Sequence, residues 1–315
     1  MATILAEIDN LTREEWLELR RQGIGGSDAP AIAGLSPFRS AISVYLEKIG
    51  AVNADELAGE EQKEEMYWGT RLEDIVAEEF SIRTGLELSH PKVILRHPDY
   101  PWMIANIDRV IADSANGYGV LEIKTTNPFN EAAWEDGIPE HVIIQVQHYL
   151  AVTGYKYGYA AVLIGGQKYL HKLIPRDDEL INYLIEIERK FWQMVENRTP
   201  PPLDGSEDAS NVLKFLYPVA DPGSKILLPP EAEELIREYE EAKAQEKAAG
   251  ERKKAAENRL KALLGTSEGG IAGRRIVTWK TVNTSRFDLD AFKNEYPEIY
   301  QKYLKPAPYR RFGVK

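Results

Sequence analysis

Asp108, Glu122 and Lys124 are side chains whose types and spacing suit work on a phosphodiester. Glu122 and Lys124 stand two apart in the apolar run Tyr118-Gly119-Val120-Leu121-Glu122-Ile123-Lys124-Thr125, and residues two apart on a strand share a face. Asp108 lies fourteen residues before Glu122, in Ile104-Ala105-Asn106-Ile107-Asp108-Arg109-Val110. The intervening Asp113-Ser114-Ala115-Asn116-Gly117 is turn chemistry, so the two runs are expected to pair as an antiparallel hairpin with Asp108 beside Glu122. Two carboxylates and an ammonium on an apolar sheet are costly while unpaired. A hard divalent cation relieves that cost. Mg²⁺ takes oxygen ligands and keeps several waters, so one or two carboxylates and a substrate phosphate suffice to hold it. A neighbouring lysine orients a water and favours hydroxide. The bland alternative is three residues on the polar face of an ordinary sheet, since Glu-x-Lys is a common strand triplet.

The elements that must position this group follow from periodicity and punctuation. Thr12-Arg13-Glu14-Glu15 reads as a capping box opening a short helix with Trp16, Leu17 and Leu19. A glycine turn, Gly23-Ile24-Gly25-Gly26-Ser27-Asp28, follows, with Ser27 or Asp28 able to cap the next helix and Pro30 in its first turn. Residues 55–65 are acidic and expected in solvent. From about 64 to 83, Leu72, Ile75, Val76 and Phe80 fall on one helical face, with Glu73 at its edge. Strands are expected near 88–96, 102–112, 118–126, 156–165 and 168–174, with helices over 138–153 and 177–197. That order describes an α/β sandwich on a mixed sheet. Thr199-Pro200-Pro201-Pro202 begins a linker or surface loop, and the domains are set at 1–205 and 206–315.

Beyond the linker, residues 231–264 carry a helical pattern whose apolar repeat is interrupted by Glu246 and Lys253. Gly250 sits within it, and an interior glycine costs about 1 kcal/mol, so two helices or a bent one are expected rather than one long coiled coil. A β-hairpin or strand over 271–282, a helix over 288–304 and a basic tail, 309–315, complete a mainly helical extension.

Composition narrows the function classes. The 315 residues are 43% hydrophobic, enough for one large core and an appendage. No run approaches the roughly 18 apolar residues of a membrane helix, and the start lacks a basic leader region, so a cytoplasmic protein is expected. Zero cysteines exclude disulfides, zinc-thiolate sites and cysteine-held iron–sulfur clusters, and five scattered histidines offer no ligand spacing. Any metal must sit on oxygen. The net charge of −11 argues against gripping nucleic acid through bulk positive charge. The acid is concentrated in front: 20 basic and 36 acidic residues up to position 224, against 19 and 14 from 225 onward. DNA remains compatible with such a front if contact is made in a narrow, metal-filled, locally basic groove with few phosphate contacts.

Five motifs in order, Trp16-Leu17-Glu18-Leu19-Arg20 with Gly23 to Asp28, Trp68-Gly69-Thr70-Arg71-Leu72-Glu73, Asp108, Glu122-Ile123-Lys124, and Gln145-Val146-Gln147-His148-Tyr149, resemble the YqaJ-type phage recombination nucleases. These are relatives of lambda exonuclease in the PD-(D/E)XK superfamily. The resemblance spans roughly residues 13–197. It implies a PD-(D/E)XK, restriction-endonuclease-like core with a mixed central sheet flanked by helices. It makes Asp108 and Glu122 metal ligands, the Ile123 carbonyl a further ligand, Lys124 the catalytic lysine and Glu73 the helix glutamate that completes a metal site, usually through water. Ile107-Asp108 stands where the superfamily name has Pro-Asp. Gln145 and Tyr149 match the Gln-x-x-x-Tyr signature of RecB-like nucleases, and positions four apart share a helical face. Amide and phenol can hold a phosphate or the attacking water without adding charge, while Gln147 and His148 point elsewhere. Arg20 and Ser27 match residues that hold a 5′-phosphate, and physics agrees: a helix N-terminus offers N–H groups and a guanidinium a bidentate fork. Arg39 is a further candidate phosphate contact. The plain alternatives are an exposed helix glutamate at 73, satisfied polar residues at 145 and 149, a simple N-cap at 27 and a surface arginine at 20.

The resemblance thus implies a Mg²⁺-dependent double-strand DNA exonuclease, with two ions per site and Mn²⁺ able to substitute, that degrades from the 5′ end and leaves 3′ tails. It implies double-stranded DNA ends and a phage single-strand annealing protein as partners, a homo-oligomer with a trimer favoured, and the host cytoplasm as location. An endonuclease on the same scaffold and a non-catalytic DNA-end-binding protein are the alternatives.

Overall fold

The computed structural model describes residues 2–9, 11–57, 59–306 and 309–314. Position 58 of the acidic stretch and the last residue of the basic tail, Lys315, lie outside the described residues. The chain divides into two units, Met1–Tyr217 and Pro218–Lys315.

In the first unit, β1 (Thr3–Glu7) precedes α1 (Arg13–Arg21), whose start is the expected capping box: Thr12 Oγ1 accepts from the Glu15 N–H and the Glu15 carboxylate from the Thr12 N–H. The short helices α2 (Ala29–Ile32), α3 (Ala41–Lys48) and α4 (Ala54–Leu57) lead to α5 (Glu60–Thr84). This last helix begins earlier than its apolar stripe, because Glu60 and Glu61 in its first turn complement the helix dipole.

The single strands expected over 88–96 and 102–112 are each divided. They form β2 (Glu87–Ser89) and β3 (Val93–Arg96), then β4 (Ile104–Ala105) and β5 (Arg109–Asp113). Pro91 lacks an N–H and Lys92 adopts φ 48°, so the ladder cannot continue between β2 and β3. The pieces enter different sheets. β1, β3 and β4 form a small antiparallel sheet that the sequence reading did not foresee.

The main sheet is completed by β6 (Gly117–Thr126), β7 (Tyr157–Ile164) and β8 (Lys168–Pro175). Its order is β2-β5-β6-β7-β8, with β6 and β7 parallel and the other pairs antiparallel, so it is mixed as expected. Between β6 and β7 run α6 (Glu131–Asp136) and the crossover helix α7 (Glu140–Thr153). Val142, Val146 and Leu150 of α7 cover one face of the sheet through Val120, Ala160 and Val162. Val76, Ala77 and Phe80 of α5 cover the other through Leu121, Ile123 and Ala161. That division decides the site: alternation along β6 turns Leu121 and Ile123 toward α5, and Glu122 and Lys124 toward α7.

α8 (Asp178–Glu196) and α9 (Glu207–Leu216) finish the first unit. Ala209 and Val212 of α9 are buried with Val44, Phe191 and Val195, so the unit ends after Tyr217 rather than at position 205.

In the second unit, α10 (Glu231–Leu264) is one helix of 34 residues, not two. Its alanines, glutamates, lysines and leucines are strong helix formers whose summed propensity outweighs one glycine. A hairpin of β9 (Gly269–Ala272) and β10 (Arg275–Thr278) follows. The helix expected over 288–304 is two, α11 (Leu289–Glu295) and α12 (Pro297–Tyr303), because Pro297 disfavours the helical conformation at Tyr296. The Phe312 ring of the tail lies edge-on to Tyr239 of α10, with centroids 5.4 Å apart. Among the described residues no helix is long and apolar enough to cross a membrane.

Candidate active site

The hairpin of β5 and β6 supplies the first three groups. Its turn is closed by the Asp113 carboxylate, which accepts from the Ala115 N–H at 2.8 Å and from Asn116 Nδ2 at 2.6 Å, and by Gly117 at φ 79°. Arg109 pairs with Leu121, which sets Asp108 opposite Glu122. Asp108 Oδ2 accepts the Ile123 N–H at 2.8 Å, and Lys124 Nζ stands 2.6 Å from Glu122 Oε1. The structure therefore brings Asp108, Glu122, Ile123 and Lys124 together.

Helix α7 extends the group by a hydrogen-bonded relay. Lys124 Nζ donates to Gln145 Oε1 at 3.0 Å, and Gln145 Nε2 donates to the Tyr149 hydroxyl at 3.0 Å. Tyr149 is fixed in turn by the glycine turn: a Cβ on Gly26 would lie 2.3 Å from Tyr149 Cε1, so only glycine lets the turn and the ring approach this closely. Gln147 and His148 point elsewhere, as expected. Gln147 bonds the Pro175 carbonyl and the Asp177 N–H, and His148 lies buried between Glu188 and the Ile104 carbonyl.

The electrostatics describe a site short of positive charge. Burial, then the charges of Glu122 and Glu73, push the Asp108 carboxyl well above its usual range. Burial also raises Glu122, although Lys124 and Gln145 work against the rise. Burial opposes the Lys124 ammonium, but Glu122 and Asp108 outweigh it and its pKa is raised. Burial and the same two carboxylates hold Tyr149 well above the ordinary phenol value, so it remains a neutral donor.

Glu73 is near enough to act on both carboxylates, but its own partner is Arg109, which also reaches Asp74. Among the described residues no three histidine or acidic side chains are already arranged to close round an ion. Glu122 is turned onto Lys124 and Glu73 onto Arg109. The donor set nonetheless fits a hard divalent cation. Glu122 Oε2 is buried without a hydrogen-bond partner, and Asp108 beside it is held in a carboxylate-rich pocket where ionisation is disfavoured. Added positive charge would relieve both.

The candidate phosphate residues gather around Asp28. Arg20 Nη2 lies 3.1 Å from Ser27 Oγ and 3.3 Å from Asp28 Oδ1, Arg39 Nη1 lies 2.9 Å from the same oxygen, and Lys48 Nζ lies 2.7 Å from Asp28 Oδ2. Asp28 also accepts the Gly25 N–H at 3.0 Å and makes no side-chain cap to α2, so the expected capping role goes instead to bracing the turn and its cations. Burial works against its ionisation, yet Lys48, Arg20 and Arg39 together hold its pKa well below the usual carboxylate range. Glu47 takes the other end of Arg39 at 2.6 Å. Three cations face two buried carboxylates, leaving a locally basic turn whose exposed member is Ser27. A cleft of about 430 Å³ joins this turn to the first group: Ser27 and Arg39 line it together with Lys124 and Gln145.

Sequence reasoning missed Arg109, Asp28, Glu47 and Lys48 as parts of this arrangement. Asp28 was visible in the glycine turn, but only as a cap. Lys48 and Glu47 sit in a helix whose every position from Ile42 to Lys48 is buried, and two adjacent charges in such a helix were the available signal.

Residues 15–156 match the YqaJ-like viral recombinase domain family. A Bacillus subtilis (strain 168) protein described as uncharacterized protein YqaJ is 41% identical over 318 residues, covering 100% of this chain and 98% of that one. Among solved structures, an alkaline exonuclease (LHK-Exo) from Laribacter hongkongensis aligns with a TM-score of 0.48 at 21% identity, over 59% of this chain and 94% of that chain. A phage related exonuclease from Haemophilus somnus 129PT aligns with a TM-score of 0.39 at 15% identity, over 56% and 96%.

Proposed function

The chain belongs to the YqaJ-like viral recombinase family, and from that premise we propose that it is a Mg²⁺-dependent exonuclease that resects double-stranded DNA from the 5′ end. The product is a 3′ single-stranded tail suited to strand annealing. The observation that carries the reading is the meeting of Asp108, Glu122 and Lys124 on one face of a hairpin, with a buried Glu122 oxygen left without a partner. A binding module gains nothing from carboxylates facing phosphate.

Asp108, Glu122 and the Ile123 carbonyl would hold the cation, with Glu73 completing the site through water. The bound metal would supply Lewis acidity at the phosphate and lower the pKa of an attacking water, with two Mg²⁺ ions dividing those tasks and Mn²⁺ able to replace them. The protein's own part follows from the relay. Glu122 and Gln145 fix the Lys124 ammonium, which steadies the attacking water, and the neutral Tyr149 phenol fixes Gln145. Arg20, Ser27 and Arg39 would receive the terminal 5′-phosphate, with Asp28 holding both guanidiniums in place. The acidic remainder of the first unit limits non-specific coating, so binding depends on salt through few phosphates. A homotrimer, a phage single-strand annealing partner and the host cytoplasm belong to the same proposal.

Linear duplex with 5′-phosphate or 5′-hydroxyl ends, incubated with and without Mg²⁺ beside a closed circular duplex, tests it. Expected are Mg²⁺-dependent loss of the 5′ strand, preference for the phosphorylated end and an intact circle. Glu122→Gln and Lys124→Ala should each abolish degradation while end binding persists. Cutting of the circle, or resection that survives either substitution, would overturn the assignment.

A further inference from the structure

The cleft that joins the two groups carries a feature for which neither phosphate binding nor hydrolysis accounts. Phe38 stands at its wall, 54% exposed, with its ring edge-on to His141 at 5.5 Å and 86°. A lone exposed phenylalanine is ordinary. This one is not loosely held. Ser36 Oγ accepts the N–H groups of Phe38 and Arg39, each at 3.2 Å, and the Arg39 guanidinium beside it is fastened to Asp28 and Glu47. The loop is therefore ordered by polar bonds, and it presents an exposed ring to a cleft whose polar lining includes Ser27, Arg39, Lys124 and Gln145 and whose other aromatic beside Phe38 and His141, Trp134, is 4% exposed and so offers no free face.

His141, the ring behind Phe38, is the first-turn residue of α7, one helical turn before Gln145. Burial and then the Lys124 charge push its pKa down to about 4, so it is a neutral aromatic at working pH and adds no charge beside the guanidinium. The pair is thus an uncharged aromatic corner placed between the candidate 5′-phosphate residues and the candidate catalytic lysine. A nucleotide whose 5′-phosphate lies on Ser27 and Arg39, and whose next phosphate inward lies by Lys124, must put its base in or beside this cleft. Freed from its pairing partner, that base needs a π-face in place of its neighbours. Aromatic stacking provides one without regard to sequence.

We propose that Phe38, backed by His141, is the stacking platform for the base of the 5′-terminal nucleotide, held unpaired while the bond on its 3′ side is cut. This rests on the resection reading above and adds to it a base subsite and a reason for sequence tolerance. Phe38 is a positioning residue: it holds the base, and through the base the scissile phosphate.

The test uses the full chain carrying Glu122→Gln, so that bound DNA is not degraded, and a 5′-phosphorylated linear duplex with 2-aminopurine as its 5′-terminal base. Fluorescence is excited beyond the tryptophan band at saturating protein, and end binding is followed in parallel by anisotropy. With Phe38 present the bound probe stays dim through stacking. With Phe38→Ala it brightens several-fold, end binding weakens about tenfold, as expected for one lost base–aromatic stack, and Phe38→Tyr restores both. The half-exposed position lets Phe38→Ala keep the parent melting temperature, which excludes a folding explanation. A probe equally dim in parent and Phe38→Ala means the base never leaves the duplex stack, and one equally bright means that it leaves but finds no platform. Either result overturns the proposal while the resection reading stands. If the Glu122→Gln protein does not bind duplex ends at all, both fall together.

Discussion

Gly26→Ala is expected to damage the relay on α7 without touching a single charged group. Gly26 has no unusual backbone requirement among the positive-φ glycines, so alanine is tolerated by the chain itself. The added methyl would lie 2.3, 2.6 and 3.0 Å from Tyr149 Cε1, Cζ and Cδ1, whereas carbon atoms rest at about 3.5–4.0 Å. The ring must therefore retreat by roughly 1 Å, and it has little room, being 4% exposed and packed among Met103, Val146 and Leu150. Overpacking of this kind costs about 1–3 kcal/mol, which for a unit of this size lowers the melting temperature by about 2–12 °C. The same retreat carries the hydroxyl away from Gln145, whose bond to it is 3.0 Å, and misplacement of about 1 Å in a positioning group costs on the order of 10²-fold in rate. Thermal unfolding by circular dichroism and end resection at saturating Mg²⁺ read the two effects. In a Tyr149→Ala background the methyl meets no ring, so its cost should vanish and the cycle should show coupling of about 1–3 kcal/mol. An equal cost in both backgrounds would refute the claim that the turn and the ring are fitted to one another.

The parts of this site legible in sequence are those set by local rules. Period-two alternation and an Asp-to-Gly turn place Asp108 opposite Glu122, because register in a short hairpin follows from its loop. Helical spacing puts Gln145 and Tyr149 on one face, and the structure joins them directly. The remaining parts depend on packing between distant segments. Arg109 takes Glu73 from 36 positions away, and nothing near either residue announces the pair. Asp28 looked like a cap because its neighbours are a helix start. Its three cations come from α1, the loop before α3 and the end of α3, and only the tertiary fold brings them together. The small sheet of β1, β3 and β4 escaped for a similar reason: two- to five-residue strands carry too little alternation to declare themselves. At α10 the summed propensity of alanines, glutamates, lysines and leucines outweighs the one glycine at position 250.

Three further outcomes follow from the same geometry. Gly250→Ala should stabilise α10 by about 1 kcal/mol, since nothing lies within 4 Å of the added carbon; slowed hydrogen exchange around position 250 reads the gain, and unchanged exchange would argue against an uninterrupted helix. Lys48→Met removes a fully buried ammonium 2.7 Å from Asp28. Arg20 and Arg39 remain as partners, so the loss should fall near the lower end of the range for a broken buried pair, about 3 kcal/mol in urea unfolding, and a neutral result would mean that Asp28 does not need its third cation. Asp108→Asn should do the opposite in chelator. Burial, then Glu122 and Glu73, raise the folded Asp108 pKa above its unfolded value of about 3.9, so the native state binds this proton more tightly; the stabilisation is fully present below that unfolded value and is lost as pH climbs through the raised one. Above the raised pKa the ionised carboxylate is a burden until a cation arrives, and there the asparagine variant should melt higher than the parent in chelator, show no advantage near pH 4, and fail to gain the stability that Mg²⁺ confers on the parent. A variant that melts lower than the parent in chelator above that raised pKa would show that Asp108 is already satisfied by protein groups, and would remove the physical reason for a cation at this hairpin.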